Sequence, residues 1–160
     1  MALTNAQRNT LKAYILADPV LSTKVSGPGT DRAFIADALS ATASPAQKAW
    51  RTNVPAAEAD DAPNYANFDS ILPGKRESWG FFLRYPRDFT RNKTRKWVTD
   101  IWGNATAGSD AEAILQAGTE NARLCEVVIG GSTKTTGTVS ALDRTYIGIV
   151  TIDDVAEMFA

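Results

Sequence analysis

Residues 109–128 read SDAEAILQAGTENARLCEVV, and as a single helix they form the longest element of the chain and set its class. Ser109-Asp110-Ala111-Glu112 has the form of a capping box, in which an N-cap hydroxyl and an acid three residues on satisfy each other's backbone amides. Ile114, Leu115, Leu124 and Val128 then make an apolar stripe at helical spacing. Gly118 inside the run costs ~1 kcal/mol against alanine, unless a neighbour packs closely there.

Toward the N-terminus the same logic repeats. Thr4-Asn5-Ala6-Gln7 is a second capping box, followed by Leu11 and Ile15 four residues apart. That helix ends near Ala17, because Asp18 precedes Pro19 and is biased away from helical backbone. Residues 22–29 are rich in Ser, Gly and Pro and are expected as a loop. A helix from Thr30 or Asp31 is expected to bury Phe34, Ile35, Ala38 and Leu39. Ser44-Pro45-Ala46-Gln47 reads as another helix start, with proline at the tolerated first position and Trp50 carried on the helix. Val54-Pro55 ends it, and a weak alanine-rich turn runs to Ala62.

Residues 63–74 read as irregular, pinned by Tyr65, Phe68, Ile71 and Leu72. A helix follows across Glu77 to Arg84, closed by Tyr85-Pro86. The next starts near Thr90 or Asn92, groups Trp97, Val98, Ile101 and Trp102, and stops at Gly103, where a C-cap glycine belongs. After Gly130-Gly131 the composition turns to Thr, Val, Ile and Tyr, which favours a β-hairpin over residues 132–151. Thr151-Ile152-Asp153-Asp154 opens a last short helix to Phe159. The expected class is therefore mainly α: a small helical bundle over residues 1–129, with residues 130–160 forming a hairpin and terminal helix that serve as an assembly arm. The expected core is Leu11, Ile15, Phe34, Leu39, Trp50, Trp97, Ile101, Ile114, Leu115 and Leu124.

Composition narrows the chemistry. The 160 residues contain no histidine and one cysteine. Histidine is the commonest general base and metal ligand, and a lone thiol makes neither an internal disulfide nor a thiolate cluster. Cys125, beside Leu124 and Val128, reads as a small buried apolar residue. Asp60-Asp61 and Asp153-Asp154 are sequence neighbours whose side chains diverge, unlike a converging catalytic pair. Gly130-Gly131-Ser132-Thr133-Lys134-Thr135 lacks the Gly-Lys pair of a phosphate loop and follows a helix instead of a strand. No catalytic, cofactor or metal site is expected. With no apolar run near the roughly 20 residues of a bilayer span and no signal-like opening, the chain is expected to be soluble, in a compartment where thiols stay reduced.

Charge is the unusual feature. Lys75, Arg76, Arg84, Arg87, Arg91, Lys93, Arg95 and Lys96 face only Glu77 and Asp88 within residues 75–96, while the remainder holds nine positive and sixteen negative residues. Half of the aromatics lie in or just after this belt: Trp79, Phe81, Phe82, Tyr85, Phe89, Trp97 and Trp102. Three readings stand: the solvated faces of two helices, a surface for an acidic protein partner, or contact with a nucleic-acid backbone.

Short words of the sequence resemble a group of small proteins of tailed bacteriophages and prophages. They are Leu3-Thr4-Asn5-Ala6-Gln7-Arg8 with Leu11, Ala13, Ile15 and Ala17-Asp18-Pro19; Ile35-Ala36-Asp37-Ala38-Leu39; Ser44-Pro45-Ala46 with Trp50-Arg51-Thr52-Asn53-Val54-Pro55; Phe68; and Arg91 to Gly103. They cover about the first two thirds of the chain. The resemblance implies a virion neck component, a head–tail connector or adaptor forming a homo-oligomeric ring beneath the portal. It would contact the portal protein and tail or nozzle proteins, with the belt lining the DNA channel or gripping the portal. Such a protein is made in the host cytoplasm and has no catalytic residues. The competing expectations are a capsid decoration protein and, more distantly, a DNA-binding regulator that uses residues 92–102 as its recognition helix.

Overall fold

The computed structural model describes residues 2–160. Its helices are α1 (Asn5–Ala17), α2 (Gly29–Ser40), α3 (Ala56–Asp60), α4 (Pro73–Phe82), α5 (Asn92–Trp102), α6 (Asp110–Ala117), α7 (Leu124–Ile129) and α8 (Ile152–Met158), with 3-10 turns at Leu21–Lys24 and Tyr65–Ser70. Four strands, β1 (Lys48–Trp50), β2 (Thr119–Asn121), β3 (Gly131–Thr136) and β4 (Val139–Arg144), form one sheet in the order β2-β1-β4-β3. The fold is thus α/β, and the expected helical bundle with a hairpin is corrected: β1 pairs parallel with β4, with Ala49 opposite Leu142.

Two local readings failed to produce that sheet. Residues 109–128 are not one helix. α6 stops at Ala117, the Gly118 carbonyl accepts the Arg51 N–H at 3.0 Å, and Thr119–Asn121 becomes a strand. A new helix opens where the Arg123 N–H meets the Glu126 carboxylate at 2.9 Å. The second failure is at Trp50. Ser44-Pro45-Ala46-Gln47 starts no helix; the Ser44–Pro45 bond is cis and Trp50 lies on β1. Trp50 and Val54 follow that start signal at helical spacing, yet pairing with strands distant in sequence prevails.

The chain divides into two compact units, and each is discontinuous in sequence. The first comprises Met1–Gln47, Asn121–Ser132 and Arg144–Ala160. Leu11, Ile15, Leu21, Ile35, Leu39, Cys125, Tyr146, Val150, Val155 and Met158 are its buried core. Its segments are stitched by backbone and side-chain bonds. Leu124 N–H donates to Ala41 C=O at 2.8 Å and Ala43 N–H to Ala122 C=O at 2.9 Å. The Ser40 hydroxyl bonds both backbone groups of Val150, at 3.0 and 3.2 Å. The capping box anticipated at Thr4 is made, and the helix start read at Thr151 closes as a box too; at Ser109, in the second unit, the side chain accepts from Glu112 N–H.

The second unit comprises Lys48–Glu120 and Thr133–Asp143. Its core holds Trp50, Val54, Trp79, Phe82, Phe89, Val98, Ile101, Ile114, Leu115, Val139 and Ala141. The β3–β4 turn is closed by Gly137 at φ +59, where a Cβ would stand 2.2 Å from the Ala105 carbonyl oxygen, so this turn admits only glycine. Residues 130–160 supply buried side chains to both units: Val139 and Ala141 to the second, and Tyr146, Val150, Val155 and Met158 to the first. Of the expected core, Leu11, Ile15, Leu39, Trp50, Ile101, Ile114 and Leu115 are buried. Trp97 and Leu124 are half-buried. Phe34 is 47% exposed, because α2 turns Ile35, Ala36 and Leu39 inward instead.

Two glycines give opposite expectations. At Gly118 an added Cβ would lie 2.1 Å from the Phe89 ring, while at Gly80 on α4 it meets nothing within 4 Å. Gly118→Ala should destabilise by about 1–3 kcal/mol through overpacking. Gly80→Ala should stabilise by about 0.5–1 kcal/mol through helix propensity. Urea denaturation of the two variants checks the signs; a neutral Gly118→Ala would contradict the close packing on Phe89.

Candidate interaction surface

The eight cations of residues 75–96 all lie in the second unit, but they do not form one surface. Arg95 is only 2% exposed. Its Nη1 donates to the carbonyls of Phe89 at 2.5 Å and Thr90 at 2.7 Å, its Nε donates to the Thr136 hydroxyl at 3.1 Å, and its guanidinium lies 4.8 Å from the Trp50 ring centroid. Burial pulls this guanidinium down from its ordinary range, with Asp143 and then Asp88 acting against it. Arg95 holds the fold together and is not available to a partner. A sequence signal for this exists: Arg95, Val98 and Ile101 fall three residues apart on the buried stripe of α5.

Arg87 is half-buried and does a related job. Its Nε and Nη2 donate to Phe82 C=O at 2.6 Å and Phe81 C=O at 2.7 Å. These are carbonyls of the last turn of α4, which lack intrahelical partners. The same guanidinium lies 5.0 Å from the Phe82 ring and 4.9 Å from the Trp97 ring. Burial pulls it down from its ordinary range. The turn after α4 is therefore fixed from within.

Three more cations are paired inside the chain: Arg76 with Asp69 at 3.5 Å, Arg91 with Asp88 at 3.1 Å, and Lys96 with Asp100 at 2.6 Å. These pairs are largely exposed and contribute little stability each, but they cancel charge locally. Lys75, Arg84 and Lys93 remain, exposed and without a carboxylate partner among the described residues. Arg84 is set apart because its guanidinium lies 4.2 Å from the ring centroid of Phe81.

The aromatics divide in the same way. Trp79, Phe82 and Phe89 are core, with Trp79 and Phe82 stacked at 4.9 Å. Trp102 packs edge-on to Trp79 at 5.3 Å. Phe81 and Tyr85 are 42% and 67% exposed. Phe81, Arg84 and Tyr85 thus make an outward knuckle at the end of α4, seated on the Arg87 staple. Sequence reasoning included Arg84 in the belt but did not separate it from the buried cations around it.

Elsewhere the titratable groups serve the fold. The wholly buried Glu126 carboxylate accepts from Arg123 N–H at 2.9 Å, Arg144 Nη1 at 3.0 Å, Arg123 Nη1 at 3.3 Å and Gly148 N–H at 3.4 Å. Burial pushes the Cys125 thiol up to about 11. Asp60 accepts from the Tyr65 hydroxyl, which also receives Trp79 Nε1–H at 2.8 Å. Asp154 accepts from the Thr151 N–H and hydroxyl at the start of α8. Gly130-Gly131 ends α7 and begins β3, with no helix following the lysine. Among the described residues no group of three or more Cys, Asp or Glu is placed to hold a metal ion, and no helix is long and apolar enough to cross a membrane. An open cleft of about 370 Å³ is lined by Lys48, Gln116, Thr119, Thr138, Val139 and Ser140. Its hydroxyls are engaged within the chain, Thr119 with Gln116 C=O, Thr138 with Glu112 and Ser140 with Thr135.

Comparison with protein-family models, curated proteins and solved structures finds no match to this chain.

Two outcomes test the site's physics. Arg95→Met should cost at least about 1–3 kcal/mol, because the Phe89 and Thr90 carbonyls lose their donor in the interior. Lys75→Met should stay within about 0.5 kcal/mol. Equal urea midpoints for the two variants would return Arg95 to the surface. Desolvation, and then the bond to Asp60, push the Tyr65 hydroxyl up to about 12. A group whose pKa is raised on folding stabilises below its unfolded value, about 10 for tyrosine, and that stability is lost as pH rises through the folded value. Wild type should therefore lose more stability than Tyr65→Phe between about pH 10 and 12. Parallel alkaline denaturation curves would contradict it.

Proposed function

We propose that this protein is a non-enzymatic structural component that works by docking onto other proteins, specifically a virion head–tail connector or adaptor of a tailed bacteriophage. Two lines support the reading. The first is the set of short sequence words that resemble those of small phage structural-module proteins; they fall at α1, α2, residues 44–55, Phe68 and α5. The second, which carries it, is the Phe81–Arg84–Tyr85 knuckle, where two aromatic rings and an unpaired guanidinium stand outside a core that has buried other large aromatics. Aromatic and arginine side chains at one exposed point are the residue types that anchor protein interfaces.

The same accounting of charge favours a protein over packaged DNA as the belt's partner. One of the eight cations is buried, one is bound to carbonyls and three are paired with aspartates. A backbone-tracking surface gains affinity with each phosphate it neutralises, and only three cations are left to do so.

The test is direct imaging of assembly. Mixed with a portal ring from the same genome, the protein should dock at one pole, as class averages from negative-stain microscopy would reveal. Decoration of capsid shells instead would favour a cement protein. A protein that stays free of both would overturn the assembly role. Duplex DNA should bind weakly, with a salt slope of about three or less on a log–log plot.

A further inference from the structure

We infer that the Phe81–Arg84–Tyr85 knuckle recognises a carboxylate on an acidic protein surface, with Arg84 as the specific contact, the Phe81 ring against its guanidinium and the exposed Tyr85 ring next in the chain. The inference rests on the assembly reading above and names the chemistry of the partner.

The argument begins with what Arg84 lacks. Each other arginine of residues 75–96 has a partner in its own chain: Arg76 has Asp69, Arg87 has two carbonyls, Arg91 has Asp88, and Arg95 has two carbonyls and a hydroxyl. Arg84 has a ring and no acid. An arginine lying against an aromatic face keeps its donor edge free, and that planar fork fits a carboxylate in bidentate fashion.

The second part is preorganisation. Leu83 N–H donates to Trp79 C=O at 3.0 Å, Arg84 N–H to Phe81 C=O at 3.3 Å, and Arg87 covers the carbonyls of Phe81 and Phe82. The backbone beneath the knuckle is held at both ends, so binding orders few new torsions. Arg87, two residues beyond Tyr85, is fixed on the Phe81 and Phe82 carbonyls. The knuckle therefore presents Arg84 beside a second, fixed guanidinium, and the nearest acid in sequence, Asp88, is already engaged with Arg91. Local potential is positive, and the complementary occupant is acidic. A phosphate backbone would also meet that charge, but it would draw equally on Lys75 and Lys93, which are as exposed and lack the aromatic neighbours.

The experiment uses the full chain and a synthetic nonapeptide of three Glu-Glu-Leu repeats, with binding followed by NMR at the arginine Nε–H and aromatic resonances. The largest shifts should fall on Arg84, Phe81 and Tyr85. Arg84→Glu should weaken binding about tenfold or more, the value of a charged hydrogen bond. Arg84→Lys should fail to restore it, because the point charge lacks the fork. Lys93→Glu carries the same charge change and should cost much less. Equal losses for Arg84→Glu and Lys93→Glu, or tighter binding of a twenty-base-pair DNA duplex than of the peptide, would overturn the inference. Thermal melts of each variant identify any loss caused by unfolding, and Tyr85→Ser, which removes a ring without touching charge, gives an independent reading of the same site. Failure here is separable from failure of the assembly role. If Arg84→Glu protein still docks on the portal ring, the knuckle is wrong and the connector stands; if the peptide maps to Arg84 and no ring docks, the reverse holds.

Discussion

The guanidinium of Arg95 is the constraint on which the second unit depends. A cation withdrawn from water is costly unless its donors are met, and here Phe89, Thr90 and Thr136 accept from it while Trp50 covers it. Those four partners come from β1, from the loop before α5 and from β3. A sequence separation of 84 residues is closed here by the bond from Trp50 Nε1 to Lys134 C=O at 3.0 Å. The unit is built from two separate stretches of chain, and the buried arginine helps fix one against the other.

The first unit solves the same problem with a different charge. Two of its three stretches meet around Glu126, whose carboxylate is shared by Arg123 and Arg144 and by the Gly148 amide. The Arg144 side chain is itself 2% exposed. A buried pair of this kind is weak evidence for stability but strong against removal of one partner. Around it the apolar core is conventional, with Leu11 and Ile15 of α1 and Ile35 and Leu39 of α2 completely buried. Cys125 belongs to that packing, and its raised thiol fits an inert side chain better than a reactive one.

Spending cations on architecture has a consequence for the surface. A stretch that carries eight positive charges in sequence offers far fewer in space. What stands out after the internal pairs are made is a small, rigid, aromatic-flanked site, and not a broad electropositive face. Such a site suits recognition of one feature on a protein better than the tracking of a repeating phosphate backbone. Its rigidity derives from Arg87, a residue whose capping of α4 would be invisible to any inventory of charge.

Much was legible in the sequence. The caps at Thr4, Ser109 and Thr151, the glycine stop at Gly103 and the hairpin after Gly130 are encoded within a few residues, because a cap or a turn needs only its own neighbours. Helical spacing located Leu11, Ile15, Leu39, Ile101, Ile114 and Leu115 in the interior for the same reason. The sheet was not legible. β1 and β2 are three residues each and carry no alternation of their own, so only pairing with partners far along the chain makes them strands. Gly118 illustrates the division: the sequence allowed for a closely packed neighbour there, but the Phe89 ring that forbids a side chain comes from 29 positions away. The belt divides the same way. Its charges were countable, whereas which of them turn inward depended on the carbonyls and carboxylates that folding brings alongside, and that is settled by tertiary contact alone.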